Sequence, residues 1–246
     1  MAPFGASRAG LMSVAADDIP DSVVDNFEDA DADPAGPYQE GESLTDYWSN
    51  DNGHGAIGRS TDNVAEGNHA LEFTRSGDVS IESRWSLPGD GLPRYPEDGE
   101  TIRVLMRDTA DRIRPYLLAM VGDDSNPDCY AVFFRGDEDE IELRKVFNIN
   151  EDDPRDDTET LDSATPSLTS GDWYWIEWEL PDSDDNEHIV DVYETDDDGD
   201  GSVSRGSSVT TLSANDDDFL GQRGIGTTSG SSSNEGVVID DILILD

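Results

Sequence analysis

The chain has 246 residues, with 58 Asp and Glu against 15 Lys and Arg, for a formal net charge of −43. So acidic a surface excludes nucleic acids and anionic membranes as partners, since both need a basic face, and it repels itself in dilute buffer. At about 1 M salt the Debye length is roughly 3 Å, so the composition predicts a protein adapted to high salt; five Trp, seven Tyr and seven Phe set in short apolar runs exclude disorder.

Residues 1–22 carry no acid before Asp17 and include Phe4, Arg8, Leu11 and Met12. They read as an arm that docks on a partner chain, with an unstructured leader as the alternative. Neither a secretory signal nor a membrane-spanning run is expected, because no stretch has the required apolar length. From residue 23 the chain reads as short strands separated by turn clusters. Strands are expected at ALEFT (70–74) and SIESRW (80–85), then at TIRVLMR (101–107), where Ile102, Val104 and Met106 share one face. PYLLAMV (115–121), YAVFF (130–134) and IELRKVF (141–147) follow at hairpin spacing, and with 101–107 they predict a four-strand meander. WYWIEWEL (173–180) points Tyr174, Ile176, Trp178 and Leu180 to one face, HIVDVYE (188–194) pairs back on it, and VVIDDILIL (237–245) ends the chain. The expectation is all-β: a two-sheet antiparallel jelly-roll sandwich over residues 23–246 with a short N-terminal arm. The single cysteine, Cys129, excludes an intramolecular disulfide.

The order of VVDNFED (23–29), GNHALEFT (67–74), WYWIEWE (173–179), GIG (224–226) and VIDDILI (238–244) resembles concanavalin A-like and carbohydrate-binding-module jelly rolls. GDWYWIEWE, VYETDDDGDG and RGIG look closer to the laminin-G-type group, and the leader PFGASRAG is similar to leaders on virion proteins of haloarchaeal tailed viruses. The resemblance implies neighbouring first and last strands. It also implies a structural calcium held by Glu28 or Asp29 with Asp240 or Asp241 and carbonyls near Gly67 and Asn68. The competing reading is that these acids merely end strands.

A second calcium candidate, Asp196, Asp198 and Asp200 before Gly201, has Ser207 where the bidentate Glu of such loops belongs, so an acidic hairpin turn is preferred. Glu177 and Glu179 share a strand face with Trp173 and Trp175, which admits a glycosidase pair, but no hydrolase signature accompanies them and the chain is read as non-enzymatic. His54, His69 and His188 are scattered, without a nucleophile elbow or phosphate loop. Trp175, Trp48, Arg103 and Arg107 are the candidate ligand residues, each weighed against burial or ion pairing; Arg112, Arg114, Arg135, Arg144 and Lys145 extend the same basic region. The function expected is a non-catalytic structural or adhesion protein, a virion surface protein of a haloarchaeal virus with a lectin-like domain that binds host glycans and assembles as a homo-oligomer. The alternatives are a cell-surface or secreted carbohydrate-binding module and, third, a glycoside hydrolase or polysaccharide lyase. Neither nucleic acid nor membrane insertion is expected.

Overall fold

A computed structural model describes residues 23–32, 35–51, 56–74, 80–107, 114–125, 127–135, 138–149, 157–197, 203–231 and 236–245. The elements are β1 (Val23–Asp25), α1 (Leu44–Tyr47), β2 (Asn50–Asp51), β3 (Ala56–Ser60), β4 (Ala70–Thr74), β5 (Ser80–Ser86), β6 (Thr101–Arg107) and β7 (Arg114–Val121). They continue with β8 (Cys129–Arg135), β9 (Glu140–Val146), β10 (Thr158–Ala164), β11 (Trp173–Glu179), β12 (Glu187–Asp197), β13 (Val203–Asn215), β14 (Gly224–Ser231) and β15 (Gly236–Leu245).

Two antiparallel sheets face each other. The first runs β13-β12-β11-β6-β15-β4-β3, with β1 also on β15; the second runs β10-β9-β8-β7-β14-β5-β2. Ile102, Val104 and Met106 of β6 and Tyr174, Ile176 and Trp178 of β11 fill the space between the sheets, as their alternation requires. They meet Leu117 and Ala119 of β7, Tyr130, Val132 and Phe134 of β8, and Ile141 and Leu143 of β9. The terminal strands are neighbours, Val23 lying opposite Leu243.

The expected meander is corrected in one respect. β6 belongs to the first sheet, between β11 and β15, and the meander is β7-β8-β9-β10 in the second. Alternation identifies the buried face of a strand, not the sheet it joins. β13 and β14 were not expected at all, because their Ser, Thr and Gly content hides the period-2 signal. Gly226 is required where it stands, since a Cβ there would sit 2.9 Å from Trp85 Cβ and 3.1 Å from Leu118 Cδ1.

One polar network lies inside the core. Asp25 is fully buried and accepts the Phe27 N–H at 2.7 Å, the Tyr38 hydroxyl at 2.6 Å and the Trp48 indole N–H at 2.7 Å. Arg59 stacks on Tyr38, 4.4 Å from the ring centroid, and donates to the Phe27 carbonyl at 3.0 Å. A second network ties the sheets together. Lys145 of β9, the only lysine, reaches Asp216 at 2.6 Å and Asp218 at 2.5 Å beyond β13, and Tyr130 donates to Asp216 as well. Beside it the Trp178 indole N–H donates to His188 Nδ1 at 3.2 Å, and burial lowers the imidazole to about 4.

Burial raises Asp25 from 3.8 to about 6, its three hydrogen bonds opposing the shift only in part. Since the folded-state value is the higher one, the carboxyl's contribution is fully present below about pH 4 and is lost as pH rises through 6. The shift from 3.8 to about 6 is worth on the order of 3 kcal/mol. Asp25→Asn keeps an acceptor and cannot ionise, so its stability relative to the parent should rise between pH 4 and 7 in denaturant unfolding at fixed molar salt. A pH-independent difference would contradict the assignment.

Candidate functional site

The outward side of the first sheet carries the residues suited to ligand contact. Strand alternation turns Arg103, Leu105 and Arg107 of β6, Trp173, Trp175 and Glu177 of β11 and Asp191 and Tyr193 of β12 away from the core. The register sets Arg103 opposite Glu177, Leu105 opposite Trp175, and Trp175 opposite Tyr193. Glu177 Oε1 accepts Arg103 Nε at 2.9 Å and also Nη2, while Oε2 accepts Arg205 Nη1 of β13 at 2.8 Å. The Arg103 guanidinium lies 5.5 Å from the Trp175 ring centroid, and that of Arg205 lies 4.5 Å from Tyr193. Arg107 donates to the Gly171 carbonyl at 3.1 Å and approaches Asn63. Trp175 is only 5% exposed, so it offers a rim rather than an open platform; Tyr193 and Trp173 are half-buried.

At one flank, residues 61–69 between β3 and β4 are tied down by buried carboxylates. Asp240 Oδ2 accepts the N–H groups of Ala65 at 3.0 Å and Glu66 at 3.1 Å. Glu28 Oε1 accepts those of Asn68 at 2.5 Å and His69 at 2.7 Å. Gly67 has φ +64°, and a Cβ there would lie 2.5 Å from Glu28 Oε1. The backbone near Gly67 and Asn68 therefore presents donors to the carboxylates, not the carbonyls expected for calcium. Burial raises both Asp240 and Asp241; for Asp241 a hydrogen bond with Glu66 and the charges of Asp240, Glu66 and Glu28 push further in the same direction. Asp241 also has φ +38°, unusual for a non-glycine residue. Asp29 turns away to Arg59 at 2.7 Å. Glu28, Glu66, Asp240 and Asp241 form an oxygen-only anionic set that suits calcium chemically. Among the described residues, however, no three His, Cys, Asp or Glu side chains converge as metal ligands.

The remaining candidates fall elsewhere. Trp48 is wholly buried on Asp25 and is a core residue, which corrects its reading as a ligand contact. Asp196 is exposed at the end of β12, and Asp198, Asp200, Arg112 and His54 lie outside the described residues, as do Phe4, Arg8, Leu11 and Met12. Arg135 and Arg144 belong to the second sheet, where they pair with Glu140 at 2.8 Å and Glu142 at 2.5 Å. Around them Trp85, Tyr116, Leu118, Ala131 and Phe133 form a second apolar cluster, each 5% exposed or less, on the outward side of that sheet. Three features were missed from sequence: the Asp25 network, the Lys145 clip and the partnership of Arg205 with Glu177. Only the last had a signal, a lone charge in an otherwise neutral β13.

No protein-family model and no curated protein matches the chain. Among solved structures it is similar to a protein of unknown function with a galectin-like fold from Bacillus subtilis, at 14% identity and TM-score 0.50, covering 84% of this chain and 97% of that one. The fold shared with it is a two-sheet antiparallel jelly-roll sandwich. Carbohydrate binding module CBM66 from Bacillus subtilis aligns at 11% identity and TM-score 0.47 over 78% of this chain and 92% of its own. A glycoside hydrolase family 16 endo-glucanase from Bacteroides ovatus aligns at 10% and 0.47 over 78% and 85%. At these identities the likeness is one of fold, and function rests on the site.

Proposed function

We propose that the chain is a non-catalytic carbohydrate-binding domain that works in molar salt and uses the outward face of β6, β11, β12 and β13. The observation that carries this reading is the array Arg103–Glu177–Arg205, set beside the Trp175 rim and Tyr193. Guanidinium groups fixed by a carboxylate beside aromatic rings suit vicinal hydroxyls and the apolar face of a sugar. Both oxygens of Glu177 are taken by guanidiniums, which leaves it unsuited to protonate a leaving group or attack a sugar. On a glycan array in molar salt the domain should retain a defined set of glycans. Arg103→Ala and Tyr193→Ala should each weaken that binding at least about tenfold with an unchanged circular dichroism spectrum. Absence of any glycan binding by the parent chain would overturn the reading.

The setting we favour is the surface of a haloarchaeal virus particle, with a cell surface as the alternative. The acid-poor stretch 1–16 in a chain of charge −43 supports an arm that contacts another protein of the assembly. A chain lacking residues 1–22 should fold but fail to enter particles; normal incorporation would remove the docking role.

We further propose a structural calcium held by Glu28, Glu66, Asp240 and Asp241. The support is the burial of Asp240 and Asp241 side by side, both raised by that burial, with the Glu66 and Glu28 carboxyls next to Asp241. A cation there would replace the proton between Asp241 and Glu66. Millimolar calcium should then raise the melting temperature by several degrees, roughly 1–2 kcal/mol, and Asp241→Asn should abolish the rise. Identical melting in calcium and in chelator would exclude the ion.

A further inference from the structure

Glu177 inverts the charge ratio of the chain. Overall there are 58 acids and 15 bases, and elsewhere among the described ion pairs each carboxylate serves a single cation. Arg135 meets both Glu138 and Glu140, and Lys145 meets both Asp216 and Asp218. At Glu177 two arginines share one carboxylate, and it is the only such place among the described residues. The Glu177 side chain is 11% exposed, whereas Arg103 is 29% and Arg205 47% exposed, so the surplus charge lies on the solvent side. Arg103 spends Nε and Nη2 on Glu177 and Arg205 spends Nη1; among the described residues Arg103 Nη1 and Arg205 Nε and Nη2 have no hydrogen-bond partner. The neighbouring acid, Asp191 of β12, lies opposite Glu177 of β11 and accepts the Thr211 hydroxyl. The array is thus close to neutral on a surface that is otherwise strongly negative.

We infer that this site takes an anionic sugar, a uronate whose carboxylate docks between Arg103 and Arg205; the inference rests on the carbohydrate-binding reading. A planar carboxylate matches the paired N–H groups of a guanidinium, and contact pairing of this kind survives molar salt, which abolishes long-range steering. Tyr193 and the Trp175 rim lie beside the two guanidiniums and can take the apolar face of the same ring. A glycosyl carboxylate elsewhere on this surface would meet uncompensated acids and be repelled.

The test uses the whole chain in molar salt with galacturonate, glucuronate, mannuronate and guluronate oligosaccharides, each against its methyl ester. The ester keeps the sugar skeleton and removes the charge. At least one acid form should bind about tenfold or more tighter than its ester, and Arg205→Gln, on an edge strand where folding is safe, should bring the two together. Equal binding of acids and esters would overturn the anionic preference and leave carbohydrate binding intact. Binding only to neutral glycans on the array would do the same. Failure of every glycan would overturn both readings.

Discussion

Three buried carboxyl groups hold the part of the molecule that flanks the outward face of β6, β11, β12 and β13. Asp25 ends the first strand and Glu28 follows it, Asp240 sits in the last, and all three are within 2% of complete burial. Each is held by N–H or O–H donors: Asp25 by Phe27, Tyr38 and Trp48, Glu28 by Asn68 and His69, Asp240 by Ala65 and Glu66. A buried polar group is tolerated only with such compensation. Glu28 and Asp240 join the two ends of the sandwich to the loop at 61–69, and Asp25 anchors the segment that follows β1.

These acids differ from most of the others in kind. The exposed carboxylates lie largely in turns, where salt screens them and single ion pairs contribute little. The few cations are concentrated on strands and between sheets. Lys145 is placed where Asp216, Asp218 and Tyr130 meet, and Arg103 and Arg205 where a single Glu177 unites β6, β11 and β13. With so few positive charges available, their positions distinguish the constructed regions from the general acid coat.

The strands with strong alternation, β6 and β11, were legible, as was β15 from its β-branched residues and the adjacency of the chain ends through the family resemblance. The pairing of Arg103 with Glu177 follows from two alternating strands once their register is known, but Arg205 comes from β13, whose polar edge sequence lacks the alternation. Trp48 and Trp175 were indistinguishable in sequence. One donates to Asp25 in the core and the other lies at the rim of an outward face. The resemblance set Glu28 or Asp29 near Gly67 and Asn68 as ligands of one ion; that the peptide N–H groups of Asn68 and His69 point at Glu28 was not legible.

Composition and period-2 patterning by themselves determined an all-β chain with a strongly acidic surface and the buried face of its major strands, because both properties are local. Which sheet each strand joins, and that two arginines from strands 102 residues apart close on one carboxylate, only the tertiary structure decided. Hydrogen bonding between strands and convergence of side chains depend on register and sheet order, and neither leaves a periodic mark in the sequence.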